Sequence, residues 1–344
     1  MSGDRSTTQV RRGPPNPFWS RDERRLRAGW RILLQTILFV LLLMLLLQTA
    51  AILYLVSVQP HLATIPLLAT ESPWVMLAGA LATLLAAFIS LLVAARFLDR
   101  RPFRDYGFHI NSRWWADLGF GLALGASMMA LVFLVELAMG WVVVEGTFQT
   151  STPPGMDFAS AILVSLVVFI CVGIYEEMLS RGYLLLNLAE GLNFRWGPRT
   201  ALLLAWALSS ISFGLLHASN PNATAISTFN LMLIGLFLGW GFILTGELAT
   251  PIGLHIAWNF FQGNVFGFPV SGGFSGTSFI TIRQHGPELI TGGAFGPEAG
   301  LLGLAISLLG ALVVWLWVRY RNGEAELQTH LAEYVENDRR SRSS

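Results

Sequence analysis

Two stretches of this sequence, Leu33 to Val56 and Trp74 to Ala95, stay apolar for longer than a helix of a soluble core does. A helix needs about 20 such residues to cross the hydrocarbon layer of a bilayer. Composition agrees with that reading. Apolar residues make up 53% of the 344, and charged residues only 12%, against about 25% charged in a soluble domain. Disorder, a disulfide-stapled secreted scaffold and an ordinary cytosolic enzyme are excluded at this level. Cys171, the single cysteine, cannot form an intrachain disulfide. The chain reads as an all-α polytopic membrane protein.

Hydropathy predicts spans near 30–57, 74–97, 115–144, 157–180, 199–217, 226–246, 251–268 and 299–318, about eight transmembrane helices. Residues 1–28 read as a disordered, Arg-rich cytosolic arm, with too long an apolar run behind them for a cleaved signal peptide. The first two helices fall in 29–100, a core in 101–265, a Gly-rich loop in 266–298, the last helix in 299–320 and a polar tail in 321–344. That loop carries Gly272-Gly273 and Gly292-Gly293 and is expected to be a flexible outer loop rather than a buried lid.

Every one of the 22 basic residues is an arginine. Eight lie in 5–31, five in 96–113, three in 181–199 and five in 319–342, whereas 58–73, 145–156 and 218–225 have none. The alternation fits the positive-inside rule with both termini cytosolic. On that basis the basic segment Arg100-Arg101-Pro102-Phe103-Arg104-Asp105-Tyr106 is a topology determinant. Exclusive use of arginine points to a GC-rich, prokaryotic genome and a cell-membrane protein. The short basic segments suit anionic lipid, and no nucleic-acid partner is expected.

Ionisable groups inside spans are costly and rank as functional candidates. The densest cluster is Tyr175-Glu176-Glu177-Met178-Leu179-Ser180-Arg181. Glu177 and Arg181 are four apart and can pair on one helix face. Glu176 points about 100° away and lacks a partner at that spacing. Adjacent glutamates against an apolar wall can divide into one with a raised pKa and one held ionised. The alternative is a helix end meeting water. His217 closes the fifth predicted span; alone, it is an interfacial histidine. His255 and Asn259, also four apart, share a face and could simply bind helices together. Converging in one bundle, these groups would supply a general base and oxyanion donors. Glu136, in the third span, stands apart.

Glu176-Glu177-x-x-x-Arg181, Phe213-x-x-x-His217 and His255-x-x-x-Asn259, with Arg181-Gly182-Tyr183-Leu184 and Pro251-Ile252-Gly253-Leu254 beside them, resemble the three motifs of the CPBP family. Its members are the type II CAAX prenyl endopeptidases and the bacteriocin-processing or immunity (Abi) proteins. The resemblance covers about 100–265. It implies an eight-helix intramembrane glutamic endopeptidase that uses no metal and no cofactor, acting on a membrane-anchored peptide or protein such as a prenylated CAAX-type chain or a propeptide. Carried onto this sequence, Glu176 is the general base and His217 helps to hold the water. His255 and Asn259 stabilise the oxyanion, while Glu177 and Arg181 support them. The family also implies an alternative, a non-proteolytic scaffold or immunity protein on the same fold.

Two further classes compete. A zinc peptidase could use Glu and two His as ligands, although no H-E-x-x-H occurs. A proton-coupled transporter could use Glu136, Glu176 and Glu177, although no internal repeat is visible. Depth poses a further question. With one helix running to about Ala189 and the next starting near Trp196, Glu176 lies roughly 20 Å and His217 roughly 30 Å above the turn between them. A full sixth span would then leave His255 well below His217, unless that span is short or broken or the edges differ.

Overall fold

The computed structural model of the chain describes residues 16–20, 23–57, 73–150, 156–273 and 276–334. Long apolar helices dominate: α1 (Ala28–Ser57), α2 (Pro73–Val93), α3 (Ser112–Ala138), α4 (Phe158–Glu177), α5 (Leu186–Trp196), α6 (Pro198–Leu216), α7 (Ala225–Thr245), α8 (Ala249–Phe260), the short α9 (Glu288–Thr291) and α10 (Leu301–Asn322). α4 runs through a π-helical stretch, Met178–Leu185, into α5, so Phe158–Trp196 is one continuous helix. Among the described residues, seven helices are long and apolar enough to cross a membrane.

Local chemistry sets the helix starts. Asn111 and Asp157 accept the first free backbone N–H groups of α3 and α4. Thr224 and Ser227 form a reciprocal capping box at α7. Pro198 opens α6 directly after Gly197, where its missing N–H costs no helical bond.

α8 corresponds to the seventh predicted span, 251–268, and it differs from the expectation. It has 12 residues and continues only as a π turn through Val265. Every residue from Ala249 to Trp258 is buried, so protein surrounds this helix instead of lipid. Close backbone contact with α3 permits this. A Cβ at Gly121 would lie 2.4 Å from the Thr250 carbonyl oxygen, and one at Gly125 would lie 2.5 Å from that of Leu254. Small residues let membrane helices approach this closely.

The depth question resolves in the same region. The turn between α7 and α8 does not reach the level of Trp196. Leu248 donates its N–H to the Gly107 carbonyl (3.0 Å), and both Tyr106 and Leu248 press on Gly182. Counting from that level, Glu177 lies about 8 Å and His255 about 10 Å further along their helices. The two therefore meet, and α5 projects beyond that level as an extension of α4.

Residues expected to form a disordered arm are partly ordered. Trp19–Ser20 (β1) and Arg25–Leu26 (β2) pair antiparallel, and Arg25 is buried against Glu190 of α5 at 2.7 Å. Residues 1–15, 21–22 and the arginines of 335–344 lie outside the described residues. At the other end of the chain, Asn193 of α5 bonds the Ala332 carbonyl (2.9 Å), and the Arg25 guanidinium sits 3.4 Å over the Tyr334 ring. Both ends of the described chain thus lie at one end of the bundle.

The 266–298 segment is more than an irregular loop. Its strand β4 (Thr277–Gln284) pairs antiparallel with β3 (Val142–Thr150), which takes the residues expected to end the third span. α9 and a 3-10 turn, Pro297–Ala299, follow.

Candidate active site

The cluster is built where α4, α6, α7 and α8 meet. Glu177 is fully buried, and its Oε1 accepts two hydrogen bonds of 2.8 Å. One comes from Arg181 Nη1, four residues on. The other comes from His255 Nδ1 on α8. The remaining Arg181 contacts fix its guanidinium: Nη2 donates to the Gly235 carbonyl of α7 (2.9 Å), and the plane lies 4.6 Å from the Phe213 ring centroid. The π-helical stretch begins directly after Glu177, a device often found at functional sites.

Glu176 faces a different direction, into a cavity of about 200 Å³. His217, Asn220, Trp258 and Asn259 also line it, with an apolar wall that includes Phe169, Phe213 and Phe237. His217 Nδ1 lies 2.8 Å from the Phe213 carbonyl, which can only accept, so Nδ1 carries the proton and Nε2 is turned to the cavity. His255 is oriented in the same manner by Glu177. Its Nε2 lies 3.7 Å from Glu176 Oε2, and that of His217 lies 4.0 Å away. Glu176 Oε2 is buried and has no hydrogen-bond partner. Gaps of this length between polar atoms are the width that one bridging water spans. The Asn259 amide lines the same cavity with no protein partner among the described residues.

All six residues singled out on the motifs therefore gather in one place, and Glu177 acts as a bracket between Arg181 and His255. The motif spacing did not reveal the bracket, because it joins residues on two helices. Glu136 does not join them. It is buried at the far end of α3, where it accepts from Gln284 of β4 (2.7 Å), and it does not line the cavity.

The sequence also missed the cavity's other wall. Val270, Ser271 and Glu298, from the segment expected to be a loop, line it too. Glycine richness and low hydropathy concealed this role.

Among the described residues, no three His, Cys, Asp or Glu side chains are placed to hold a metal ion together. No curated protein matches the chain. Residues 158–261, the stretch that carries Glu176, Glu177, Arg181, His217, His255 and Asn259, match the family model described as Type II CAAX prenyl endopeptidase Rce1-like.

Proposed function

We propose that the chain is an intramembrane glutamic endopeptidase whose nucleophile is a water held between Glu176, His217 and His255. The observation that carries this is the unpartnered Glu176 Oε2, buried in the cavity and faced by two imidazole Nε2 atoms at 3.7 and 4.0 Å.

Glu176 takes a proton from the water as its oxygen attacks the scissile carbonyl carbon. The carbonyl oxygen becomes an oxyanion. The protonated His255, its Nδ1–H held by Glu177, offers Nε2–H to that oxygen, and the Asn259 amide offers a second donor. Collapse breaks the C–N bond, and the proton held by Glu176 goes to the leaving amine. His217, its Nδ1–H committed to Phe213, orients the water through Nε2. Arg181 shares the charge of Glu177, so that Glu177 brackets His255 without taking its proton outright.

The substrate in this proposal is a membrane-anchored peptide or protein. Arg25, Arg31, Arg101 and their neighbours mark the end of the bundle where both chain ends lie, and the arginine bias assigns that end to the cytosol. Comparative membrane proteomics tests the function. A deletion strain and one expressing Glu176→Gln should accumulate the same uncleaved membrane-anchored chains, which the unaltered protein removes. If the Glu176→Gln strain processes them normally, Glu176 is not the base. Cleavage should also survive strong chelators; loss on chelation with recovery on added zinc would replace the carboxylate mechanism with a metal-assisted one.

A further inference from the structure

Glu298 sits on the short Pro297–Ala299 turn before α10, outside the Rce1-like stretch, and it is buried while lining the catalytic cavity. Both carboxylate oxygens reach across the chain. Oε1 accepts from the backbone N–H of Ser271 and from its hydroxyl (3.3 Å), and Oε2 accepts from Gln262 Nε2. Gln262 belongs to the π turn that continues α8 from Asn259.

The segment so held is a tight turn. Val270 and Gly273 exchange both backbone hydrogen bonds, at 2.7 and 2.9 Å. Ser271 adopts φ 47° and Gly272 φ 82°. Asn220, three residues beyond His217, donates to the Ser271 carbonyl (3.0 Å). Gly272 donates to the Phe295 carbonyl (2.7 Å). The fit around the carboxylate is close: a Cβ at Gly296 would fall 2.6 Å from Glu298 Oε2 and 2.7 Å from Gln262 Nε2.

We propose that Glu298 is the latch of a lid, holding the Val270–Gly273 turn across the catalytic cavity through Ser271 and Gln262, and that ionising Glu298 releases it. Glu298 is thus a positioning residue, and the proposal rests on the peptidase function only for what passes the lid. The groups facing Glu298 are neutral: Ser271 on the turn, Gln262 on the π turn, and Asn230 of α7, which bonds the Ala299 carbonyl beside it. Glu176, His217 and His255 share the cavity but make no ion pair or hydrogen bond with it, and no arginine among the described residues pairs with it. With no cation paired to it, the cost of burying its charge favours the protonated form, against the donors from Ser271 and Gln262 that favour the carboxylate.

Burial accordingly pushes the Glu298 carboxyl up to about 7, although the hydrogen bonds from Ser271 and Gln262 pull it down. An open lid returns Glu298 to water and to an ordinary pKa of about 4.3. The closed lid therefore binds the proton more tightly. Its advantage is full below the ordinary value and is lost as pH rises through about 7.

Amide hydrogen exchange on the intact protein in detergent or nanodiscs reads this directly, because the Ser271 N–H is itself donated to Glu298. After correction for intrinsic exchange rates, protection of Ser271 and Gly272 should fall about tenfold between pH 6 and pH 8, while amides of the β3–β4 pair stay constant. Glu298→Gln, a neutral isostere, should keep the protection seen at pH 6 across the whole range. Protection that is flat or rises with pH in the unaltered protein would overturn the latch, and so would a Glu298→Gln protein that still shows the tenfold fall. If Glu298→Gln does not fold, the pH series on the unaltered protein decides alone. Exchange needs no substrate, so loss of the peptidase function and loss of the latch give separate results.

Discussion

Two buried charge clusters lie on the same long helix, and they are finished differently. Around Glu190, at the end where the chain's two ends meet, every carboxylate oxygen is used. Glu190 accepts from Arg25, Arg31 and Arg101, and Asp99 accepts from Arg31 (2.8 Å), Tyr106 (2.8 Å) and Asn187 (3.0 Å). Burial opposes the charge on Arg101, but Glu190 and Asp99 outweigh it and hold the guanidinium above its usual range. Around Glu176 the opposite holds. Glu176 Oε2 and Glu177 Oε2 are buried without a partner, and two imidazoles stand off at water-bridging distance. Around Glu190, Arg31 Nε, Arg101 Nε and Asn187 Oδ1 are left without a hydrogen-bond partner too, so the contrast lies in the carboxylates: a cluster with these saturated ties segments together, and one with free carboxylate oxygens keeps capacity for a reactant.

The largest expected effect comes from breaking the saturated cluster. Glu190→Ala removes the carboxylate shared by three buried guanidinium groups, leaving Asp99 and Glu23 to balance them, and should cost about 3–5 kcal/mol, read as a lower melting temperature and yield. An unchanged melt would show that the cluster does not hold the fold. Arg181→Ala should cost a similar 3–5 kcal/mol by leaving the buried Glu177 with His255 as its remaining partner, and it should lower cleavage as well. Adding Glu177→Gln should recover part of the yield; no recovery would mean that the lost pair is not what destabilises the single variant.

Next in size is Asn259→Ala, which removes the proposed oxyanion donor from the unsaturated cluster. It should lower kcat about 10²–10³-fold with no change in melting. A parallel loss of stability would make Asn259 structural. The smallest effect should come from Tyr334→Ala, which removes the ring under Arg25. A loss of about 1 kcal/mol in a thermal or denaturant melt, with turnover intact, is expected.

The unsaturated cluster was legible in the sequence, whereas the saturated one was not. Glu176, Glu177, Arg181, His217, His255 and Asn259 interrupt apolar segments, where a polar side chain needs a reason. Arg25, Arg31 and Arg101 sit among arginines that the positive-inside rule already explains; Asp99 closes a helix, and Glu190 falls beyond the predicted fourth span, where acids attract no notice. The bracket from Glu177 to His255 depends on the depth of α8. That depth is set by the Gly107–Leu248 contact and the glycine-mediated packing on α3, neither of which leaves a periodic signal. Glu298 was hidden for another reason: a glycine-rich stretch gives the same pattern whether it is a loop or a lid.

On the proposed mechanism, Glu176 performs chemistry in a site whose architecture does not depend on its charge. Turnover and melting of Glu176→Gln, measured side by side in proteoliposomes on a lipid-anchored peptide found by the proteomic comparison, test this most directly. Cleavage should fall about 10²–10⁴-fold while the melt stays that of the unaltered protein. Near-normal turnover, or unfolding on this nearly isosteric change, would contradict it.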